Sequence, residues 1–112
     1  NRIVYELPAG AIEENETPLE AARRELLEET GFGGGRWVEY YQSAPNPSNM
    51  TSICYTFLAT DVDIIKKSQL EESEDIEICL STKDEIIKIL NDCSIIEGVQ
   101  QASLWKYIYE NQ

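Results

Sequence analysis

At 112 residues and 42% hydrophobic, the chain can bury one modest core and has no room for a second, so a single domain over residues 1–112 is expected. A net charge of −12 excludes nonspecific attraction to nucleic acid or to anionic membranes, whose phosphates would repel it. An acidic protein that acts on phosphates therefore needs a cation between itself and its substrate.

The chain opens with a strand-like run, Arg2 to Leu7. A helix is predicted next, from about Pro18 to Thr30. Thr17 is its N-cap, Pro18 fills the first helical position where a missing N–H does no harm, and Glu20 completes a T-x-x-E capping box. Gly31 stands where a left-handed C-terminal cap belongs. Leu19, Ala22 and Leu26 form the apolar side of this helix. Gly33-Gly34-Gly35 reads as a turn, and strand character returns in Arg36 to Ala44, Ser52 to Asp61 and Asp75 to Leu80. Thr82 and Glu85 make a second capping box ahead of Ile86, Ile87, Ile89 and Leu90. A third helix is predicted over Val99 to Tyr109, with Leu104, Trp105 and Ile108 as a core stripe. Strands alternating with helices define an α/β architecture with a mixed sheet.

Two compositional facts narrow the chemistry. The chain has no histidine, which removes histidine triads and imidazole ligands and leaves Asp, Glu, Lys or Tyr as a general base. Cys54, Cys79 and Cys93 are odd in number and lack a C-x-x-C pattern, which argues against disulfides and zinc. Buried, reduced thiols in a cytoplasmic protein are the expectation, with Cys54 and Cys79 in apolar runs. No run approaches the ~20 apolar residues of a membrane span.

The acidic side of the first helix is the most informative feature. Glu25, Glu28 and Glu29 fall at relative angles of about 0°, 300° and 40°, so their carboxylates share one face within one and a half turns. Like charges at this spacing repel by a few tenths of a kcal/mol per pair, and a hard divalent cation turns that repulsion into attraction. Arg24 lies four residues from both Glu20 and Glu28, placed to hold a carboxylate rather than to bind substrate. Taken alone, the cluster reads first as a solvated acidic helix face, which charge runs on helices usually are.

The wider pattern decides between these readings. Gly10, Glu16, Arg24-Glu25-Leu26, Glu28-Glu29 and Gly31-Phe32 together resemble the Nudix hydrolase signature at every defined position. The resemblance implies an α/β/α sandwich built on a mixed sheet. That fold places further strands ahead of the signature, so this chain, which begins at Asn1, is expected to lack amino-terminal strands. It also implies Mg²⁺, with Mn²⁺ as a substitute, held by Glu25, Glu28, Glu29 and the carbonyl of Ala9. Arg24 would orient Glu25, and Glu16 would support the loop or an outer metal.

Within the family, Glu6-Leu7-Pro8-Ala9-Gly10 and the downstream Pro47 look like features of the ADP-ribose and nucleoside-diphosphate-sugar pyrophosphatases. Glu71-Glu72-Ser73-Glu74-Asp75-Ile76 resembles the acidic loop that supplies the general base in that branch, which points to Glu72 or Glu74. The implied reaction is hydrolysis of ADP-ribose to AMP and ribose 5-phosphate by a homodimer. A nucleoside triphosphate pyrophosphohydrolase and a noncatalytic ligand-binding module are the alternatives. Trp37, Tyr40, Tyr41 and Tyr55 are able to stack on a base, but the sequence assigns none of them that role.

Overall fold

The computed structural model describes residues 3–46, 48, 52–68 and 76–112. Among these lie three helices and four strands: α1 (Pro18–Thr30), β1 (Phe32–Gly33), β2 (Arg36–Ser43), β3 (Cys54–Thr60), β4 (Asp63–Ile64), α2 (Lys83–Asn91) and α3 (Gly98–Glu110). The chain divides into two compact units, one of Pro8–Gln42 with Tyr55–Cys79, the other of Asn1–Leu7, Ser43–Cys54 and Leu80–Gln112.

The first unit is organised around α1. Its N-terminus is closed by the predicted box: Glu20 N–H donates to Thr17 Oγ1 at 3.1 Å, and Thr17 N–H donates to Glu20 Oε1 at 2.8 Å. Its C-terminus ends at Gly31, whose φ of 82° is the left-handed value and whose N–H donates to the Leu27 carbonyl. The chain then enters β1, which pairs antiparallel with β4 in the register Phe32↔Ile64 and Gly33↔Asp63. A second two-stranded sheet joins β2 to β3. Trp37 in β2 is fixed by its indole N–H, which donates to Gly34 O at 2.7 Å, and the Arg23 guanidinium stands 5.6 Å from its ring centroid.

The second unit holds the larger apolar cluster. Leu90, Ile95 and Ile108 are buried, with Tyr5, Ile86, Ile87, Ile89, Leu104 and Tyr107 packed on them. Burying each of the three aliphatic side chains contributes about 1.5–3 kcal/mol. The Thr82–Glu85 box starts α2 as predicted. Glu97 caps α3, accepting the N–H groups of Val99 and Gln100, and extends that helix one residue beyond the predicted start.

The α/β class and all three helices match expectation, whereas the strand content departs from it. Residues 3–7 and 76–80 form no strand. The backbone groups of the first segment bond toward the helical part of their unit: Tyr5 N–H donates to Ser94 O at 2.8 Å and Leu7 N–H to Gln100 Oε1 at 2.8 Å. Residues 76–80 are exposed, so their apolar alternation has no face to bury. The described strands accordingly make two small sheets rather than one mixed sheet. Two side-chain expectations also change. Cys79 and Cys93 are exposed and Cys54 half-buried, and Trp105 stands 40% exposed while Ile108 takes the core position of the stripe.

Candidate functional site

One face of α1 and the loop before it form a single polar network. Arg24, a half-buried side chain at 23% exposure, is its centre. Its Nε donates to Glu16 Oε2 at 2.8 Å and its Nη2 to Glu16 Oε1 at 3.0 Å, a bidentate grip that uses the planar fork of the guanidinium. Nη1 donates to Glu25 Oε1 at 2.8 Å and reaches Glu28 Oε2 at 3.4 Å. Nη2 also donates to the Ala11 carbonyl at 3.0 Å, and Glu13 lies 3.6 Å from Nη1.

This arrangement ties the loop to the helix. Asn15 takes a left-handed φ of 65°, which Asn tolerates, and the turn closes with Glu16 N–H donating to Glu13 O at 3.1 Å. Glu13 N–H donates back to Glu16 Oε1 at 2.9 Å. The hydrogen bonds from Arg24, and then that from Glu13, hold the Glu16 carboxyl below its ordinary value of 4.5. Glu16, followed by Glu25, in turn raises the Arg24 guanidinium above its already high range.

The main chain at Ala9 and Gly10 lies directly against the acidic face. Ala9 N–H donates to Glu29 Oε2 at 3.0 Å. A Cβ built on Gly10 would run into the Glu25 carboxylate, with Oε2 at 2.7 Å, so a larger residue there would push that side chain away from the backbone. The glycine of the signature thus has a steric reason.

Of the sequence-predicted residues, Arg24, Glu25, Glu28 and Glu16 are brought into one hydrogen-bonded group, and Glu29 meets Ala9. One detail differs from expectation. Glu20 is not held by Arg24, because its carboxylate serves the capping box. Ala9 meets Glu29 through its N–H. Glu71, Glu72, Glu74 and Pro47 lie outside the described residues. Among the described residues no three Asp, Glu or Cys side chains converge as a metal-binding group.

Sequence reasoning missed Glu13, the Ala11 carbonyl and Ser68. Ser68 is 2% exposed and its hydroxyl donates to the Glu29 carbonyl at 2.6 Å. A contact across 39 residues leaves no local signal, whereas the Glu13–Asn15–Glu16 turn was readable from Asn15.

Comparison with known proteins places the chain in a class. The Nudix domain model matches residues 1–94, and the chain belongs to the Nudix hydrolase family. It is 29% identical over 98 residues to the ADP-ribose pyrophosphatase of Bacillus subtilis, which covers 87% of this chain and 53% of the relative. It is 43% identical over 60 residues to the RNA pyrophosphohydrolase of Helicobacter pylori, covering 47% of this chain and 36% of that protein. A segment of 28 residues, 25% of this chain and 16% of the relative, is 70% identical to the RNA pyrophosphohydrolase of Bartonella henselae. The chain spans about half or less of the length of these curated relatives.

Proposed function

We propose that this chain carries the catalytic helix of a Mg²⁺-dependent pyrophosphohydrolase acting on a nucleoside diphosphate linked to a second moiety, with ADP-ribose as substrate and AMP and ribose 5-phosphate as products. The observation that carries the reading is the backbone of Ala9 and Gly10 set against the carboxylates of Glu29 and Glu25. The donor set fits a hard cation: the carboxylates of Glu25, Glu28 and Glu29, with the Ala9 carbonyl that the family resemblance implies, offer oxygen alone. Mg²⁺ keeps several waters and takes one or two carboxylates plus substrate phosphates, so a closed protein cage is not required. When bound, it neutralises phosphate charge and lowers the pKa of a water.

The protein's own part is positioning. Arg24 fixes one oxygen of Glu25 and, through Glu16 and the Ala11 carbonyl, holds the loop that carries Gly10. Glu29 is steadied by the Ala9 N–H. Glu72 or Glu74 serves as general base, taking the proton of the attacking water.

ADP-ribose is favoured over RNA for two reasons. Similarity to the ADP-ribose pyrophosphatase extends over 87% of the chain, against 47% and 25% for the two RNA pyrophosphohydrolases. The net charge of −12 also opposes a polyanion. Chromatography of products from ADP-ribose, UDP-glucose, dGTP and a 5′-triphosphorylated RNA oligonucleotide, each with Mg²⁺ and with chelator, tests the reading. AMP from ADP-ribose that disappears with chelator is expected. Glu25→Gln keeps shape and removes charge, so turnover should fall about 10³-fold with the circular dichroism spectrum unchanged. Near-normal turnover of that variant would exclude the assignment.

A further inference from the structure

The last turn of α1 is electrostatically awkward. Glu28 and Glu29 sit at the end of the helix where the macrodipole is negative, and no basic residue in that turn offsets them. The final carbonyls also have no intrahelical partner. A helix end of this kind frays unless other groups hold it, and fraying here would move the carboxylates proposed to bind metal.

Groups outside the regular helix ladder meet some of the carbonyls at this end. The ladder itself ends with Gly31 N–H donating to Leu27 O at 2.9 Å. Thr30 Oγ1 donates to Leu26 O at 2.6 Å and accepts Phe32 N–H at 3.1 Å. Gly31 O accepts Ile65 N–H at 2.8 Å and Lys66 N–H at 3.3 Å, which lays the chain after β4 along the helix end. The Glu29 carbonyl accepts the hydroxyl of the buried Ser68 at 2.6 Å. Glu29 is therefore held at two points, its carboxylate by Ala9 N–H and its carbonyl by Ser68.

We infer that Ser68 is a positioning residue for the metal-binding function proposed for Glu29, fixing the backbone from which the carboxylate projects. The inference rests on the proposed function of the α1 carboxylates. Ser68 does not touch substrate in this account; it acts through Glu29. Its backbone follows Ile65 and Lys66, whose N–H groups bond Gly31 O, so the hydroxyl is presented by a segment already held at the helix end, just after the strand registered on β1 by the Phe32↔Ile64 pair.

The test compares the wild type with Ser68→Ala, Ser68→Cys and Ser68→Thr in two readouts, Mn²⁺ affinity by electron paramagnetic resonance and steady-state kinetics in Mg²⁺. Cysteine keeps the volume but is a weak donor, and threonine keeps the hydroxyl. S68A and S68C should each weaken Mn²⁺ binding about tenfold and lower kcat about tenfold, with KM changed less than about twofold, and S68T should restore both. Wild-type Mn²⁺ affinity and kcat in S68A or S68C, with only the melting temperature lowered, would overturn the inference by showing a merely structural hydroxyl. Should S68A fail to fold, S68C carries the comparison. A wild type that binds Mn²⁺ yet hydrolyses none of the substrates refutes the proposed reaction alone, and the variants' Mn²⁺ affinities still decide the role of Ser68. A wild type that binds no Mn²⁺ overturns both.

Discussion

Arg24 meets four glutamates, and the chemistry of each is set by how it is met. Glu16 receives two guanidinium N–H bonds and a main-chain N–H, whereas Glu25 receives a single guanidinium bond and Glu28 only a long one. Glu16 is thus the structural partner of Arg24, leaving Glu25 and Glu28 as the carboxylates better suited to a cation. The Glu16 carboxyl is depressed below its ordinary 4.5, first by Arg24 and then by Glu13 N–H. The sign of its linkage follows: its contribution to stability is present above the unfolded value of 4.5 and is lost as pH falls through the lower folded value. Glu16→Gln keeps the shape and removes the titration. Urea midpoints followed from about pH 7 to about pH 3 should fall more steeply for the wild type than for E16Q. Parallel curves would mean that the Arg24–Glu16 pair adds no native-state preference.

At the scale of elements, α1 was legible because its start and stop are local chemistry. Thr17, Pro18, Glu20 and Gly31 fix both ends within 15 residues, and the observed helix runs Pro18–Thr30 as predicted. The same holds for the Thr82–Glu85 box of α2. The segments 3–7 and 76–80 misled because a strand is defined by its neighbour, and alternation alone does not supply one. The site was legible in part: the spacing of Glu25, Glu28 and Glu29 showed a shared face, but the clamp from Ser68 and Lys66 comes from far along the chain.

Gly31 separates the local from the distant contribution. Its φ of 82° costs any L-residue about 1–2 kcal/mol, and a Cβ there would also collide with the Lys66 carbonyl. Gly34, at a φ of 69°, carries the same backbone penalty in open space, its nearest neighbour being Ile65 Cδ1 at 4.0 Å. Gly34→Ala should therefore cost about 1–2 kcal/mol and Gly31→Ala clearly more, measured by urea unfolding. Equal costs would show that the chain after β4 yields to the added methyl.

At the scale of the whole molecule, the charge of −12 acts on every phosphate substrate before any site residue does. The repulsion is long-range, so salt screens it over a Debye length of about 8–10 Å, while contacts inside the site are screened far less. For a protein that attracts its substrate through a basic surface, KM rises with salt; here the opposite is expected. If the proposed activity holds, raising ionic strength from about 20 to about 150 mM at fixed free Mg²⁺ should lower KM for ADP-ribose, with kcat nearly constant. A substrate with more phosphates feels more of the field, so any KM for a triphosphorylated RNA oligonucleotide should fall further than that for ADP-ribose. A KM that rises with salt for either substrate would place a local basic surface in control of encounter, and for RNA it would reverse the preference argued from net charge.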